Sequence, residues 1–189
     1  MPLLEKDNSV LVVIDVQENF LSKLPAADRE PLVERIAWII HVAKVLGIPI
    51  LATAEDVSGG IDMLPRLKAL LPEGQTVFNK MVFSLYGQKD IRDALAALNR
   101  KDLVLVGQET DVCVAQSAVD LVNAGYRVWV ADDATASPGH HHESGLCRMR
   151  DAGVVVSGIK GIYYEWLRDV PSAIAMASTV RETPSDLTL

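Results

Sequence analysis

Cysteine is scarce in this sequence: Cys113 and Cys147 are the only two among 189 residues. Two thiols cannot build a disulfide framework, and a chain of this length can bury roughly 70% of its unfolded surface without one. A reducing compartment follows. Aromatic residues are also few, at 5%, and the 18 Lys and Arg fall short of the 25 Asp and Glu, a formal net charge of −7. With no run of basic residues, the chain lacks the positive stripe that a phosphate backbone demands, so no nucleic-acid partner is expected. Long uninterrupted apolar runs are missing too. The most hydrophobic window, Ile36 to Ala54, is broken by His41, Lys44 and the Gly47, Ile48, Pro49 turn, which reads as a helix and a buried strand rather than a membrane span. Met1 to Val10 carries Glu5 and Asp7 and lacks the basic-then-apolar order of a signal peptide, so a cytoplasmic location with no membrane partner is expected. Neither a GxGxxG nor a Walker pattern occurs, which weakens a nucleotide-binding reading.

What is present is 49% hydrophobic and 23% charged, a composition that fits a single domain over 1–189, with its core at about 9–170 and a helix and tail after 171. Six β-branched runs, VLVVID, PILATA, TVFNK, DLVLVG, RVWVA and VVVSG, read as strands. Helical patterns separate them. The clearest runs from Pro31 to Leu46, where Leu32, Ile36, Ile39, Ile40 and Ala43 recur at helical spacing and Gly47 supplies the stop. Others lie near Asp62 to Leu70, Lys89 to Leu98, Asp111 to Asn123 and His141 to Ala152, with a last helix after Pro171 and a polar tail from Arg181 that is expected to fray. Continuous apolar strands alternating with helices predict an α/β fold, a three-layer α/β/α sandwich with a six-stranded, mainly parallel, Rossmann-like sheet.

In such a sheet, ligands gather beyond the carboxyl ends of the strands. Asp15 closes the first strand, Glu55 and Asp56 follow the second, Lys80 the third, Gln108 to Cys113 the fourth, and Asp132 with Asp133 the fifth. Three strands thus deliver an acid, a lysine and a cysteine to one rim. Cys113 falls in the first turn of the helix after GQET, with Thr110 placed as N-cap. Unpaired helix N–H groups and a nearby Lys80 ammonium would favour a thiolate there. Asp15 would then take the thiol proton and return it to a leaving group. Each residue alone also has an ordinary structural reading: a packed cysteine, a strand-end turn acid, a solvated lysine. Their joint placement on neighbouring strand ends favours chemistry.

The segments VLVVIDVQENF, FNKMVFSLYG and LVGQETDVCVAQSAVDLVNAGYRVWVADDATAS resemble the three motif blocks of the isochorismatase-like cysteine hydrolases, in order and spacing. With HHESGLCRMRDAGV the resemblance extends from about Val10 to Gly158. It implies an Asp-Lys-Cys triad at Asp15, Lys80 and Cys113, and a non-proline cis peptide between Gln108 and Glu109 that turns N–H groups toward an oxyanion. It also implies an amide substrate that passes through a thioester.

The chain departs from the metal-dependent nicotinamidases of that family. TAEDVSGG after the second strand has no histidine, so Glu55 and Asp56 read as solvated loop acids, and no metal or other cofactor is expected. His140, His141 and His142 occupy consecutive helical positions about 100° apart and cannot all face one ion. Cys147 reads as core or helix surface. Glu109 stands where many relatives have a small residue; its carboxylate would either lend the site a negative field or turn away into an interface. Phe20, Leu24, Phe83 and Tyr86 lie in loops that could line a pocket, or simply pack. The resulting expectation is a hydrolase of a small amide, ureido or related C–N compound. An idle, oligomeric interaction protein and a thiol redox sensor remain open. Exposed apolar surface is expected on Ile162, Trp166 and the helix after Pro171, which would suit the interface of a homo-oligomer.

Overall fold

The computed structural model describes residues 2–180 and 182–189. Six strands, β1 (Ser9–Ile14), β2 (Ile50–Glu55), β3 (Val77–Lys80), β4 (Asp102–Gln108), β5 (Arg127–Ala136) and β6 (Val155–Ser157), form one sheet in the order β3-β2-β1-β4-β5-β6. Every pairing is parallel. The chain leaves β1 toward one edge and returns to pair β4 on its other side, so the order reverses at β1. This switch point is where such sheets open a crevice.

Period-2 alternation sorts the central strands onto two cores. Leu11, Val13, Val104 and Val106 face one side, where α2 (Ala26–Val45) and α7 (Ile159–Leu167) supply Ile36, Ile39, Ile40, Ile162 and Trp166. Val10, Val12, Leu103 and Leu105 face the other, covered by α4 (Lys89–Ala97), α5 (Ala115–Asn123) and α6 (His141–Asp151) through Ile91, Leu95, Ala118, Leu121, Leu146 and Met149. All residues of β1 and β4 are buried. That is why these strands read as continuous apolar runs.

Several boundaries differ from the sequence reading. α2 begins at Ala26, with Pro25 as its N-cap, and runs through Pro31; a proline just past the first turn forfeits only one backbone hydrogen bond, and the apolar stripe holds the rest. The crossover expected over Asp62 to Leu70 contracts to one turn, α3 (Pro65–Lys68), started by Pro65. Asp132 and Asp133 lie inside β5 rather than after it, because β5 carries an irregularity: Leu105 pairs with Val130, but Gly107 with Thr135. Ile162 and Trp166 are buried, not exposed. The Trp166 indole N–H donates to Ser9 Oγ at 3.0 Å. Val170 and Ile174, on α8 (Val170–Ala177), do remain exposed. The tail beyond Arg181, itself outside the described residues, is held by an ion pair from Arg35 to Asp186. Among the described residues, no helix is long and apolar enough to cross a membrane.

β1 and β4 approach so closely at their carboxyl ends that only glycine fits. Gly107 has φ +119°, and a Cβ there would stand 1.9 Å from the Ile14 carbonyl oxygen. Gly107→Ala is therefore expected to destabilise the protein by more than about 3 kcal/mol. Denaturant midpoints of the two forms check this; a change below about 1 kcal/mol would mean that the strands can part.

Candidate active site

Asp15 follows β1 with φ 48°, a left-handed turn that carries its carboxylate under the sheet rim. Its backbone N–H donates to the Thr53 carbonyl at 3.1 Å, and Thr53 Oγ1 donates to Asp15 Oδ1 at 2.7 Å. Lys80, the last residue of β3, is fully buried. Its Nζ lies 2.9 Å from Asp15 Oδ2 and 3.3 Å from Glu55 Oε2, and donates to the Val82 carbonyl at 2.6 Å. Cys113 Sγ is 3.6 Å from the same Nζ. The three expected residues therefore converge, from three different strand ends.

A fourth joins them. Glu55 is not a solvated loop acid: it ends β2, its side chain is 26% exposed, and its Oε2 accepts from the Cys113 thiol at 3.2 Å. Gln17, fully buried, fixes it from behind; Gln17 Nε2 donates to the Glu55 carbonyl at 2.9 Å, and Gln17 Oε1 accepts from the Glu55 N–H at 2.7 Å. The position of Glu55 at a strand end was the available signal, but the loop sequence after it pointed to solvent. Asp56 does face solvent, with its carboxylate on Ser58.

The nucleophile candidate sits on a different local structure from the one its sequence suggests. Thr110–Val114 forms a π-helical turn before α5, Glu109 is its N-cap, and no side chain caps it. Thr110 instead turns its Oγ1 toward Thr135 Oγ1, at 3.1 Å, and His142 Nδ1, at 2.9 Å. Helix α6 packs against this turn at Gly145, where a Cβ would come within 2.8 Å of Asp111 Cα. The peptide bond from Gln108 to Glu109 is cis. Gln108 is buried, and the Glu109 carboxylate turns to Lys23 Nζ at 3.1 Å. That pairing offsets the negative field expected of Glu109.

A cavity of about 440 Å³ opens beside the cluster, lined by Glu55, Asp56, Lys80, Met81, Val82 and Phe83. Of the four side chains expected to line a pocket, Phe83 does so. Leu24 belongs to the core beside α2, Phe20 is buried with Lys23 Nζ 4.6 Å from its ring centroid, and Tyr86 packs edge-on against Tyr126. A larger depression of about 660 Å³ lies by Cys147, between α5 and α6, and is lined by none of the clustered residues. Cys147 itself is exposed.

The donor set is a poor cation site. Asp15, Glu55 and Cys113 bring their ligand atoms within 4.8 Å of one another, but the Lys80 ammonium already supplies the positive charge among them. Of the three histidines, His140 and His141 lie ring against ring with centroids 4.3 Å apart, His141 Nδ1 is 3.7 Å from Asp111, and His142 turns to Thr110.

Burial dominates the electrostatics. It raises the Asp15 pKa, and the Lys80 charge recovers only part of the cost. Burial also opposes the Lys80 ammonium, but Asp15, Cys113 and Glu55 together hold its pKa above the ordinary lysine value. For Cys113, burial and then the Asp15 charge push the thiol far up, and Lys80 does not compensate. These effects favour a protonated thiol at rest, bonded to Glu55, and outweigh the pull toward a thiolate expected from the helix start and Lys80.

The isochorismatase domain family matches residues 9–160. The chain belongs to the isochorismatase family. Isochorismatase family protein 2B of Dictyostelium discoideum is 30% identical over 178 residues, covering 88% of this chain and 80% of that protein. The YcaC gene product of Escherichia coli, an octameric hydrolase of unknown specificity, superposes with a TM-score of 0.88 at 25% identity, covering 95% of this chain and 89% of that one. MAR1 ribonuclease of Caenorhabditis elegans superposes at 0.85, also 25% identical, over 100% and 98%.

The raised thiol has a thermodynamic signature. Because its folded pKa lies above the ordinary 9.0, the stability it contributes is complete below pH 9 and is lost as pH rises, at up to about 1.4 kcal/mol per unit. Denaturant titrations at pH 8.5 and 10 should show a steeper loss in wild type than in Cys113→Ala. Parallel losses would mean that the thiol ionises equally in both states.

Proposed function

We propose that this isochorismatase-family hydrolase cleaves a small, neutral amide, ureido or related C–N compound through a thioester on Cys113. The observation that carries the reading is the buried convergence of Asp15, Lys80 and Cys113 beside an open, half-apolar cavity. In the first half-reaction the thiol turns its proton from Glu55 to Asp15, whose burial makes it a stronger base than a solvated carboxylate. Charge then moves from oxygen to sulfur within the field of Lys80, and the net charge of the cluster is unchanged. The thiolate attacks the carbonyl carbon, and the collapsing adduct expels the amine, which takes its proton from Asp15. N–H groups near the Gln108–Glu109 bond are the proposed oxyanion donors.

Glu55 and Asp56 at the mouth of the cavity disfavour an anionic substrate, while Met81, Val82 and Phe83 offer an apolar flank. The same acidity, with a net charge of −7, opposes a phosphodiester, the substrate class that the name of the nematode neighbour suggests. A redox-sensing role finds little support in a thiol 2% exposed and shifted toward its protonated form. The octameric bacterial neighbour and the exposed Val170 and Ile174 support a homo-oligomer.

Intact-mass spectrometry after exposure to a panel of amides and acyl compounds should find an acyl adduct on Cys113. Cys113→Ala should lose both adduct and turnover while melting normally, and Asp15→Asn should lose more than about tenfold in rate. Equal turnover in wild type and Cys113→Ala would overturn the covalent mechanism.

A further inference from the structure

The proposed first half-reaction leaves a problem that the buried triad does not solve. A thioester must still meet water, and that water needs a base which both it and the sulfur can reach. Asp15 is poorly placed for this, being fully buried, with Oδ1 taken by Thr53 and Oδ2 against Lys80. Glu55 differs in access, although its Oε2 also lies 3.3 Å from Lys80 Nζ. It lines the cavity, its side chain is 26% exposed, and its Oε2 lies 3.2 Å from the sulfur. Once the sulfur is acylated it has no proton to donate, so the acceptor site on Oε2 that the thiol occupies at rest falls free beside the new thioester carbon. Gln17 holds both polar groups of the Glu55 peptide, which keeps the carboxylate at that spot rather than swinging with the loop.

We infer that Glu55 is a fourth catalytic residue, the base that activates water to hydrolyse the thioester on Cys113. This rests on the thioester mechanism proposed above. Glu55 Oε2 takes a proton from a water in the cavity as the water oxygen bonds to the thioester carbonyl carbon, whose π pair moves onto the carbonyl oxygen. When the carbonyl re-forms, the C–S bond breaks and the sulfur takes the proton held by Glu55. Water and thioester become carboxylic acid and thiol, and the resting hydrogen bond from Cys113 to Glu55 is restored. The division of labour follows the partners each carboxylate holds: Asp15, with its oxygens on Thr53 and Lys80, serves the sulfur and the leaving group, and Glu55, which lines the cavity, serves water.

The test uses 4-nitrophenyl acetate, whose phenolate leaves without needing a proton, so that acylation and deacylation separate. Glu55→Gln keeps the side-chain size, and an unchanged melting temperature certifies its fold. The expected result is a burst of about one nitrophenolate per site at a rate within about threefold of wild type. Steady-state turnover should fall by about 100-fold, with an acetyl group accumulating on Cys113 by intact mass. Hydroxylamine, nucleophilic without a base, should restore turnover of the variant. Burst and steady state falling together, or a steady state unchanged, would overturn the role of Glu55 while leaving the thioester intact. If wild type forms no adduct on Cys113 with this ester or with the amide panel, the hydrolase reading fails, and the Glu55 assignment with it.

Discussion

A single buried ammonium organises this molecule's crevice. Lys80 is wholly inside the protein, where an unpaired charge would cost several kcal/mol. It is compensated by three oxygens, on Asp15, Glu55 and Val82, which match the three donors of a lysine. These partners follow or end three different strands. The ion cluster thereby ties β1, β2 and β3 together at their carboxyl ends, and it fixes the field in which Cys113 sits. Two carboxylates without that lysine would repel each other, and the lysine without them would lose its proton. Each charge in the cluster is compensated by the others.

The sulfur is brought to this cluster by backbone packing rather than by charge. β4 can lie against β1 because Gly107 presents no side chain to Ile14, and α6 can lie against the turn that bears Cys113 because Gly145 presents none to Asp111. Thr110, freed from capping, bonds across to Thr135 and His142, which joins the turn to β5 and α6. The π-helical turn is thus held from two sides. Its thiol is placed within 4.8 Å of both carboxylates and at hydrogen-bond distance, 3.2 Å, from Glu55, and the same burial favours its protonated form.

Much of this was legible in the chain. β-branched runs alternating with helical stripes gave the layers, since each face of a parallel sheet must be covered by a helix whose apolar period is visible locally. Asp15, Lys80 and Cys113 could be named because each ends or follows a strand, and strand ends on one rim of such a sheet are neighbours. The motif blocks marked the family. Harder to read were features set by contacts distant in sequence. Pro31 looked like a helix start because a lone proline gives no sign that the turn before it is already packed. Ile162 and Trp166 looked exposed because nothing near them announced α7 or its partner α2.

Local chemistry, then, was determined by the sequence: which residues could act as nucleophile, base and cation, and in what order the elements carry them. Tertiary structure alone decided the protonation and partners of those groups. Glu55 is a loop acid or a member of the cluster depending on whether Gln17, 38 positions away, clamps its peptide. Cys113 is a thiolate at a helix start or a buried thiol depending on how many carboxylates share its cavity. Desolvation and Coulomb interactions act through space and depend on which atoms are near and how much water remains, so no reading of neighbours along the chain could supply them.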